Sequence, residues 1–208
     1  VCLRARVFGR DVGIVGNNGP IDPNGATKVT HFLQTCDQAE VPVVFLNNTT
    51  GYMVGVDYEH AGMIKHGSKM IQTVTNLRVP KISLYIGASF GAGNYGMAGR
   101  AYSPDFMWSW PTSRISVMGG EQAAGVLATV KRDGIERKGG TWSDAEESAF
   151  KQPTIDMFAE QSHPLYASAR LWDDGIIDPR KSRDVLALSL SAVMNKEIAE
   201  TRFGVFRM

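Results

Sequence analysis

A glycine-rich segment at residues 87–96 carries the clearest chemical signal in the sequence. It follows an apolar run that predicts a buried strand, and it is predicted to turn into a helix. The first N–H groups of a helix have no intrahelical partner, and the helix dipole makes that end positive. Because Gly91, Ala92 and Gly93 have little or no side chain, an acceptor atom could approach their backbone closely. The segment predicts a site for an anion or a developing enolate, or else a helix that simply packs closely on the sheet.

A second candidate is the loop at residues 49–55, which carries Gly51 and Gly55 and leaves the preceding buried strand. Two such loops from adjacent strands can point N–H groups at one oxygen atom, which is the geometry of an oxyanion hole. A plain connection between a strand and a helix is the alternative interpretation.

A third glycine-bearing turn lies at residues 116–124, where Gly119 and Gly120 precede Glu121 at the predicted start of another helix. A carboxylate in the first turn complements the positive end of the helix dipole. We therefore interpret Glu121 as a helix-stabilising residue.

Nucleotide binding is disfavoured by the context of these glycines. Gly91, Gly93 and Gly96 fit the spacing Gly-x-Gly-x-x-Gly, but the P-loop pattern ending in Gly-Lys-Ser/Thr is missing. A Rossmann site needs the motif in its first strand-to-helix turn and an acidic residue ~20 positions later. Here the motif follows the third or fourth strand, and Ser113 and Arg114 stand where the acid would be.

Hydrolase and metal chemistry have no recognisable motif in the sequence. The pattern Gly-x-Ser-x-Gly is missing. None of the four histidines has the spacing of a metal ligand or a catalytic triad: His31, His60, His66 and His163. The pair Asp173-Asp174 precedes Gly175 and a strand-like run, which favours a turn or a helix cap. We predict no metal site.

The elements that must position these turns alternate between strands and helices. Strands are predicted at residues 1–8, 11–16, 43–46, 82–86 and 107–110. Helices are predicted at residues 24–39, 58–77 and 184–194. Three more have only one predicted end: one follows the turn at 87–96, one begins at residue 119, and one ends at residue 161 and is interrupted at Pro153. Residues 131–142 are predicted as a surface excursion. The order predicts an α/β fold with mostly parallel pairing, in which ligands lie outside the carboxyl ends of the strands.

Composition excludes several classes of protein. The chain has 208 residues, 43% of them hydrophobic, and a formal charge of +1, which fits one globular domain and offers no basic excess for nucleic acid. No apolar run approaches the ~18 residues needed to cross a bilayer, so no membrane partner is predicted. Two cysteines, Cys2 and Cys36, indicate a reducing compartment. Because the chain opens in a strand without an initiator Met, we expect a piece of a longer protein.

Along nearly its whole length, the chain resembles the C-terminal half of the carboxyltransferase β subunit of biotin-dependent acyl-CoA carboxylases. It is most similar to the 3-methylcrotonyl-CoA and geranyl-CoA branch. The resemblance rests on residues 13–19, 48–55, 89–97, 117–124 and 171–179. The ending at residues 203–208 resembles the methylcrotonyl type, whereas residues 18–21 and 87–89 resemble the geranyl type. The acyl substrate therefore stays open between the two.

The resemblance implies a crotonase-like (ClpP/crotonase) fold of repeated ββα units, with residues 1–208 as the C-terminal, biotin-binding domain. The acyl-CoA-binding N-terminal domain is then absent from this chain, and the fragment alone should be inactive. The family also implies a biotin-carrying α subunit and a β-subunit homo-oligomer, usually a hexamer. The active site is expected between the N-terminal domain of one subunit and the C-terminal domain of another. The implied compartment is the bacterial cytoplasm or the mitochondrial matrix.

The resemblance also implies a role for the glycine-rich turns. The cofactor is biotin, and the urea oxygen of carboxybiotin takes on negative charge as CO₂ is lost. The amides of Ala92 and Gly93 are expected to donate hydrogen bonds to that oxygen. The acceptor is the γ-carbon of an α,β-unsaturated acyl-CoA, and no side-chain base from this chain is required. Biotin is expected to contact the residues around this oxyanion hole: Phe90, Gly91, Tyr95, Gly51, Tyr52, Met53, Val54 and Gly55.

Two other functions stay open. A stand-alone crotonase-like hydratase, isomerase or hydrolase acting on CoA esters would need to bind CoA unaided. Against it, the sequence has no paired carboxylates at the expected loop and helix positions. A non-catalytic assembly module would use the same loops for oligomer contacts only.

Overall fold

The computed structural model describes residues 1–204, so the last four residues of the predicted family-like ending lie outside the described residues. Within residues 1–204, seven strands form one sheet. They are β1 (Cys2–Val7), β2 (Arg10–Gly16), β3 (Val43–Thr49), β4 (Lys81–Phe90), β5 (Phe106–Ser109), β6 (Arg114–Ser116) and β7 (Gly175–Ile176).

The sheet is mostly parallel. β1 and β2 form an antiparallel hairpin, and β2, β3, β4 and β5 pair in parallel in that order. β7 extends the sheet beside β5, while β6 pairs with the carboxyl-terminal part of β4. Parallel strands end at the same edge of a sheet, so the segments that leave β2, β3 and β4 all emerge there. The predicted α/β fold with mostly parallel pairing is confirmed.

Eight α-helices occur within the described range. They are α1 (Pro23–Gln38), α2 (Val56–His60), α3 (Met63–Asn76), α4 (Gly91–Gly96), α5 (Gly120–Glu136), α6 (Asp144–Gln161), α7 (Pro164–Ser168) and α8 (Ser182–Val193). Short 3₁₀ turns occupy Arg100–Tyr102 and Pro179–Lys181.

The core has two parts, one on each face of the sheet. Leu33 of α1 and Met70 of α3 pack with Phe45 on one face. Leu190 of α8 packs with Val44 on the other. Successive side chains of a strand point to opposite faces, and both faces of β3 are covered. This double burial explains why residues 43–46 are all apolar.

Two predicted boundaries are wrong. The single helix predicted at residues 58–77 is two helices, because Gly62 adopts a left-handed φ of +83° between α2 and α3. The surface excursion predicted from Lys131 begins only after Glu136, where α5 ends. Lys131 lies within α5 and is exposed, so the polar character at this point reflects the solvent side of that helix.

The helix interruption predicted at Pro153 is also wrong, because α6 runs unbroken from Asp144 to Gln161. A proline removes one N–H donor and normally breaks or kinks a helix. Here the helix begins in a capping box, in which Ser143 and Glu146 each accept from the other's backbone N–H. The helix also packs against α5.

The carboxylates before β7 join that strand to β5. Asp174 Oδ2 accepts from the backbone N–H of Met107 at 2.7 Å, and Asp173 Oδ2 accepts from Ser109 Oγ at 2.6 Å. Neither aspartate caps a helix of the described chain. Their role is to fix the short β7 segment at the edge of the sheet.

Candidate functional site

The two glycine-bearing segments singled out in the sequence lie in direct contact. β3 ends at Thr49 and β4 ends at Phe90, so the loop after β3 and helix α4 leave the same edge of the sheet. A Cβ on Gly93 would lie 2.9 Å from the Cα of Gly51 and 2.9 Å from Thr49 Oγ1. Only a glycine allows the two backbones to approach this closely.

The loop after β3 is held in place by backbone hydrogen bonds. The N–H of Ile21 donates to the carbonyl of Gly51 at 2.9 Å, and the N–H of Met53 donates to the carbonyl of Ile21 at 2.9 Å. Ile21 and Tyr52 therefore form a parallel bridge outside the main strands. Thr49 Oγ1 also lies 3.2 Å from both the N and the O of Gly51. This part of the candidate site has a defined backbone conformation.

The amino end of α4 presents backbone donors that no side chain caps. Phe90 occupies the N-cap position and cannot accept a hydrogen bond with its side chain. Outside the helix and strand ladders of residues 1–204, no backbone hydrogen bond is donated by Ala92 or Gly93. The first N–H groups of a helix have no intrahelical acceptor. The exposed position of Ala92 therefore leaves its amide open to an external acceptor.

A cavity of about 270 Å³ opens where the loop, α3 and Ala92 meet. Its walls are largely apolar and include Tyr52, Met53, Val54, Met63, Ile71 and Ala92. Glu59 contributes the one carboxylate among the lining residues. Apolar walls with few polar groups are typical of small-molecule sites.

Tyr52 supports the site from beneath helix α4. Its hydroxyl donates to Met70 Sδ at 3.7 Å, and a Cβ on Gly96 would collide with that hydroxyl. Burial raises the pKa of Tyr52 well above its usual range. The phenol is therefore neutral at ordinary pH and acts as a packing group.

The structure does not bring every residue of the predicted site into this cavity. Phe90 lines a separate cavity of about 210 Å³, beside Arg114 and Met118. The ring of Tyr95 packs against Tyr102, with 5.4 Å between centroids.

Two glycines of the predicted site, Gly91 and Gly55, have backbone roles next to the cavity. A Cβ on Gly91 would lie 2.9 Å from the carbonyl oxygen of Val117, so this residue joins α4 to the third glycine turn. Gly55 is the N-cap of α2. In the third turn, Gly119 is the N-cap of α5 and Glu121 lies in its first turn, as the dipole interpretation expects.

Sequence reasoning missed a set of buried polar residues behind α4. Asn47 and Ser89 are fully buried at the carboxyl ends of β3 and β4, and Asn94 lies within α4. Asn48 is nearby, where the register between β3 and β4 shifts, and its Oδ1 accepts from the N–H of Ala88 at 3.0 Å. Polar side chains inside otherwise apolar strands were the signal that could have revealed this set.

Residues 1–204 contain neither a cluster of metal-ligating residues nor a membrane-spanning helix. No group of three or more His, Cys, Asp or Glu residues in this range could hold a metal ion. No helix of the described chain is long and apolar enough to cross a membrane.

Comparison with known proteins identifies the family. Residues 1–206 match the carboxyl transferase domain. The mitochondrial methylcrotonoyl-CoA carboxylase beta chain of Arabidopsis thaliana is 53% identical over 204 residues, which are 98% of this chain and 35% of that protein. The biotin-dependent 3-methylcrotonyl-coenzyme A carboxylase beta1 subunit of Mycobacterium tuberculosis is 52% identical, over 98% of this chain and 39% of that protein.

Solved structures agree with the sequence matches. The geranyl-CoA carboxylase beta subunit of P. aeruginosa superposes with a TM-score of 0.86 at 45% identity, over 98% of this chain and 39% of that chain. A transcarboxylase 12S structure, described as a hexamer assembly, superposes with a TM-score of 0.86 at 30% identity, over 100% of this chain and 40% of that chain. The predicted crotonase-like fold is confirmed.

The chain spans between 35% and 39% of the length of these two curated relatives, which come from mitochondria and from a bacterium. The sequence match covers almost the whole chain, and the superposed structures have the same fold. The resemblance noted in the sequence to the methylcrotonyl-CoA and geranyl-CoA branch is also confirmed. This chain therefore belongs to the carboxyl transferase domain family.

Proposed function

We propose that this chain forms the biotin-binding half of a carboxyltransferase site in a biotin-dependent acyl-CoA carboxylase. The acyl substrate is 3-methylcrotonyl-CoA or geranyl-CoA, carboxylated at its γ-carbon. Relatives that carry these two names support the substrate class. Residues 1–208 are the C-terminal, biotin-binding domain in this proposal, and acyl-CoA binds to an N-terminal domain outside these residues.

The observation that carries the proposal is the contact between Gly93 and Gly51. It places the uncapped amides of Ala92 and Gly93 beside the loop that walls the apolar cavity. The cavity suits the ring system of biotin, which is apolar apart from its urea group. The walls contact the ring, and the backbone amides face the polar group.

The chain's chemical task is to stabilise charge. When bound, carboxybiotin would supply the carboxyl group, and its urea oxygen would be the acceptor that needs hydrogen-bond donors. The amides of Ala92 and Gly93 would donate hydrogen bonds to that oxygen, and one such donor is commonly worth about 3–4 kcal/mol.

A single carboxylate lining the cavity, Glu59, argues against a stand-alone hydratase. Such an enzyme would need paired carboxylates for general acid and base catalysis. Titration of this chain with free biotin and with a CoA ester, followed by amide NMR, separates the two functions. Shifts at residues 91–95 with biotin alone support our proposal, whereas shifts with the CoA ester alone support the hydratase.

The decisive experiment is Ala92→Pro in the full-length β chain. Proline is tolerated in the first turn of a helix, so the fold is retained while one donor is lost. We expect carboxylation to fall by about 10²–10³-fold. Ala145→Pro is the matched control, because Ala145 is also exposed and is the second residue of helix α6. Normal turnover by the Ala92→Pro protein would refute the assignment.

The proposal includes three partners. They are the acyl-CoA-binding domain, a biotin-carrying α subunit, and further β subunits in a hexamer. The β-chain names of the relatives and the hexameric 12S structure support this arrangement. Light scattering of the purified full-length β chain, alone and with its α subunit, measures the assembly. The bacterial cytoplasm or the mitochondrial matrix is the proposed compartment.

A further inference from the structure

Helix α4 has few apolar contacts with which to hold its own position. It contains only six residues, three of which are the glycines Gly91, Gly93 and Gly96. Ala92 is exposed and Tyr95 is 45% exposed. Glycine gives the backbone unusual freedom, and so short a helix is not stable by itself. Interactions beyond the contact of Gly93 with Gly51 must therefore help to define where the amides of Ala92 and Gly93 point.

The side chain of Asn94 supplies two direct links from α4 to the sheet. Its Nδ2 donates to the hydroxyl of Tyr85 at 2.9 Å and to Ser89 Oγ at 2.8 Å. Both acceptors belong to β4, and both are buried. A buried polar network whose groups are all paired rigidifies its surroundings.

The network continues to β3 and returns to the end of α4. Ser89 Oγ donates to Asn47 Oδ1 at 3.2 Å, and Asn47 Nδ2 donates to the carbonyl of Met97 at 3.1 Å. Met97 is the C-cap of α4. Side chains from two strands therefore hold the helix in its middle and at its carboxyl end.

The absence of a side chain at Gly99 provides the space that the amide of Asn94 occupies. A Cβ on Gly99 would collide with the amide group of Asn94. The N–H of Gly99 donates to the carbonyl of Asn94 at 2.8 Å, so the segment after α4 packs directly on this side chain.

We infer that Asn94, together with Ser89 and Asn47, is a positioning residue that aims the amides of Ala92 and Gly93. The inference rests on the proposed function, because those amides are its proposed donors. Asn94 does not line the cavity, so it acts through the backbone of α4. A displacement of catalytic groups by about 1 Å can lower a rate about 100-fold.

The test uses the full-length β chain assembled with its biotin-carrying partner. For Asn94→Ala we expect kcat to fall about 10- to 100-fold, while KM for the acyl-CoA stays within about twofold. Hydrogen exchange of the peptide covering residues 91–97 should become about tenfold faster, because the helix loses its links to β4.

Ser189→Ala is the matched control. Ser189 is a buried hydroxyl that accepts from Trp108 Nε1 at 3.0 Å and donates to Val185 O at 2.8 Å, but it lies on α8 at the opposite face of the sheet. Its loss should leave kcat and the exchange of residues 91–97 unchanged. An equal fall of kcat in both variants would show a general loss of stability and overturn the inference.

Unchanged kcat in a folded Asn94→Ala protein also overturns it. If that variant does not fold, Tyr85→Phe tests the inference instead, because it removes the hydroxyl that accepts from Asn94 and keeps the ring. We expect it to lower kcat about 3- to 10-fold, and an unchanged kcat overturns the inference. If the wild-type assembly transfers no carboxyl group, the proposed function fails. Faster exchange at residues 91–97 then still supports the positioning role, and unchanged exchange refutes it.

Discussion

Gly93 and Gly51 touch through their backbones, at a place where a Cβ on Gly93 would lie 2.9 Å from the Cα of Gly51. The two residues are separated by 42 positions in the sequence and end up adjacent because β3 and β4 are parallel neighbours. Their contact sets the distance between the wall of the apolar cavity and the amino end of α4.

Gly93→Ala should therefore damage both stability and activity. The new methyl group would press on the backbone of Gly51 and on Thr49 Oγ1, and overpacking of this kind typically lowers the free energy of unfolding by about 1–3 kcal/mol. Urea unfolding and a carboxylation assay of the full-length protein measure the two effects.

Gly134→Ala is the control for that substitution. Gly134 lies inside α5, and a Cβ there would meet nothing within 4 Å. Alanine at such a position should raise the free energy of unfolding by about 0.4–1 kcal/mol. A similar loss of stability in both variants would contradict our account of the Gly93 contact.

Alkaline titration should show delayed ionisation of two tyrosines, Tyr52 and Tyr85. Burial raises the pKa of Tyr85 to about 12, and burial also raises the pKa of Tyr52. A raised pKa means that the fold favours the neutral phenol. This stabilisation is complete below the unfolded pKa of about 10, and it is lost as the pH rises towards 12.

The measurement is the ultraviolet absorbance of phenolate during a pH titration. Tyr52 and Tyr85 should ionise only when the protein unfolds, and Tyr85→Phe should remove one of these two late-ionising groups. Ionisation of Tyr52 and Tyr85 while the protein is still folded would contradict the burial of these two side chains.

Asp37 should be the most sensitive carboxylate for stability. It is fully buried, its Oδ1 accepts from the N–H groups of Arg78 and Val79 at 2.6 and 3.1 Å, and its Oδ2 accepts from Thr201 Oγ1 at 2.7 Å. Asp37→Ala leaves two backbone donors unpaired and should lower the free energy of unfolding by about 2–4 kcal/mol.

Asp37→Asn tests the reason for that loss. The asparagine keeps one oxygen for the two N–H groups, and its amide can donate to Thr201 Oγ1. Urea unfolding should therefore show a clearly smaller loss than with alanine. Equal losses would mean that the negative charge, and not the hydrogen bonds, is what matters at this position.

Much of the local structure follows from sequence patterns. Residues 43–46 are apolar and rich in Val, which predicts a strand buried on both faces, and the helices at 23–38 and 182–193 follow from apolar periodicity. Gly62 shows the limit, because a glycine inside a helical pattern can either continue the helix or end it. In the folded protein, the helix ends before Gly62 and a new one begins after it, whereas the helix at Pro153 continues without a break. Tertiary packing determines both results.

The sequence by itself determined the α/β class and the glycine turns, because these depend on residue types at short spacing. It also indicated the family, through a resemblance that extends over nearly the whole chain. Only the tertiary structure decided which groups meet. Asn47, Ser89 and Asn94 come together because strands β3 and β4 are parallel neighbours and α4 folds back over their ends. The placement of Phe90 and Ala92 in different cavities was decided in the same way. The direction of a side chain at a turn depends on the elements packed around it, and the spacing of residues along the chain does not reveal which elements those are.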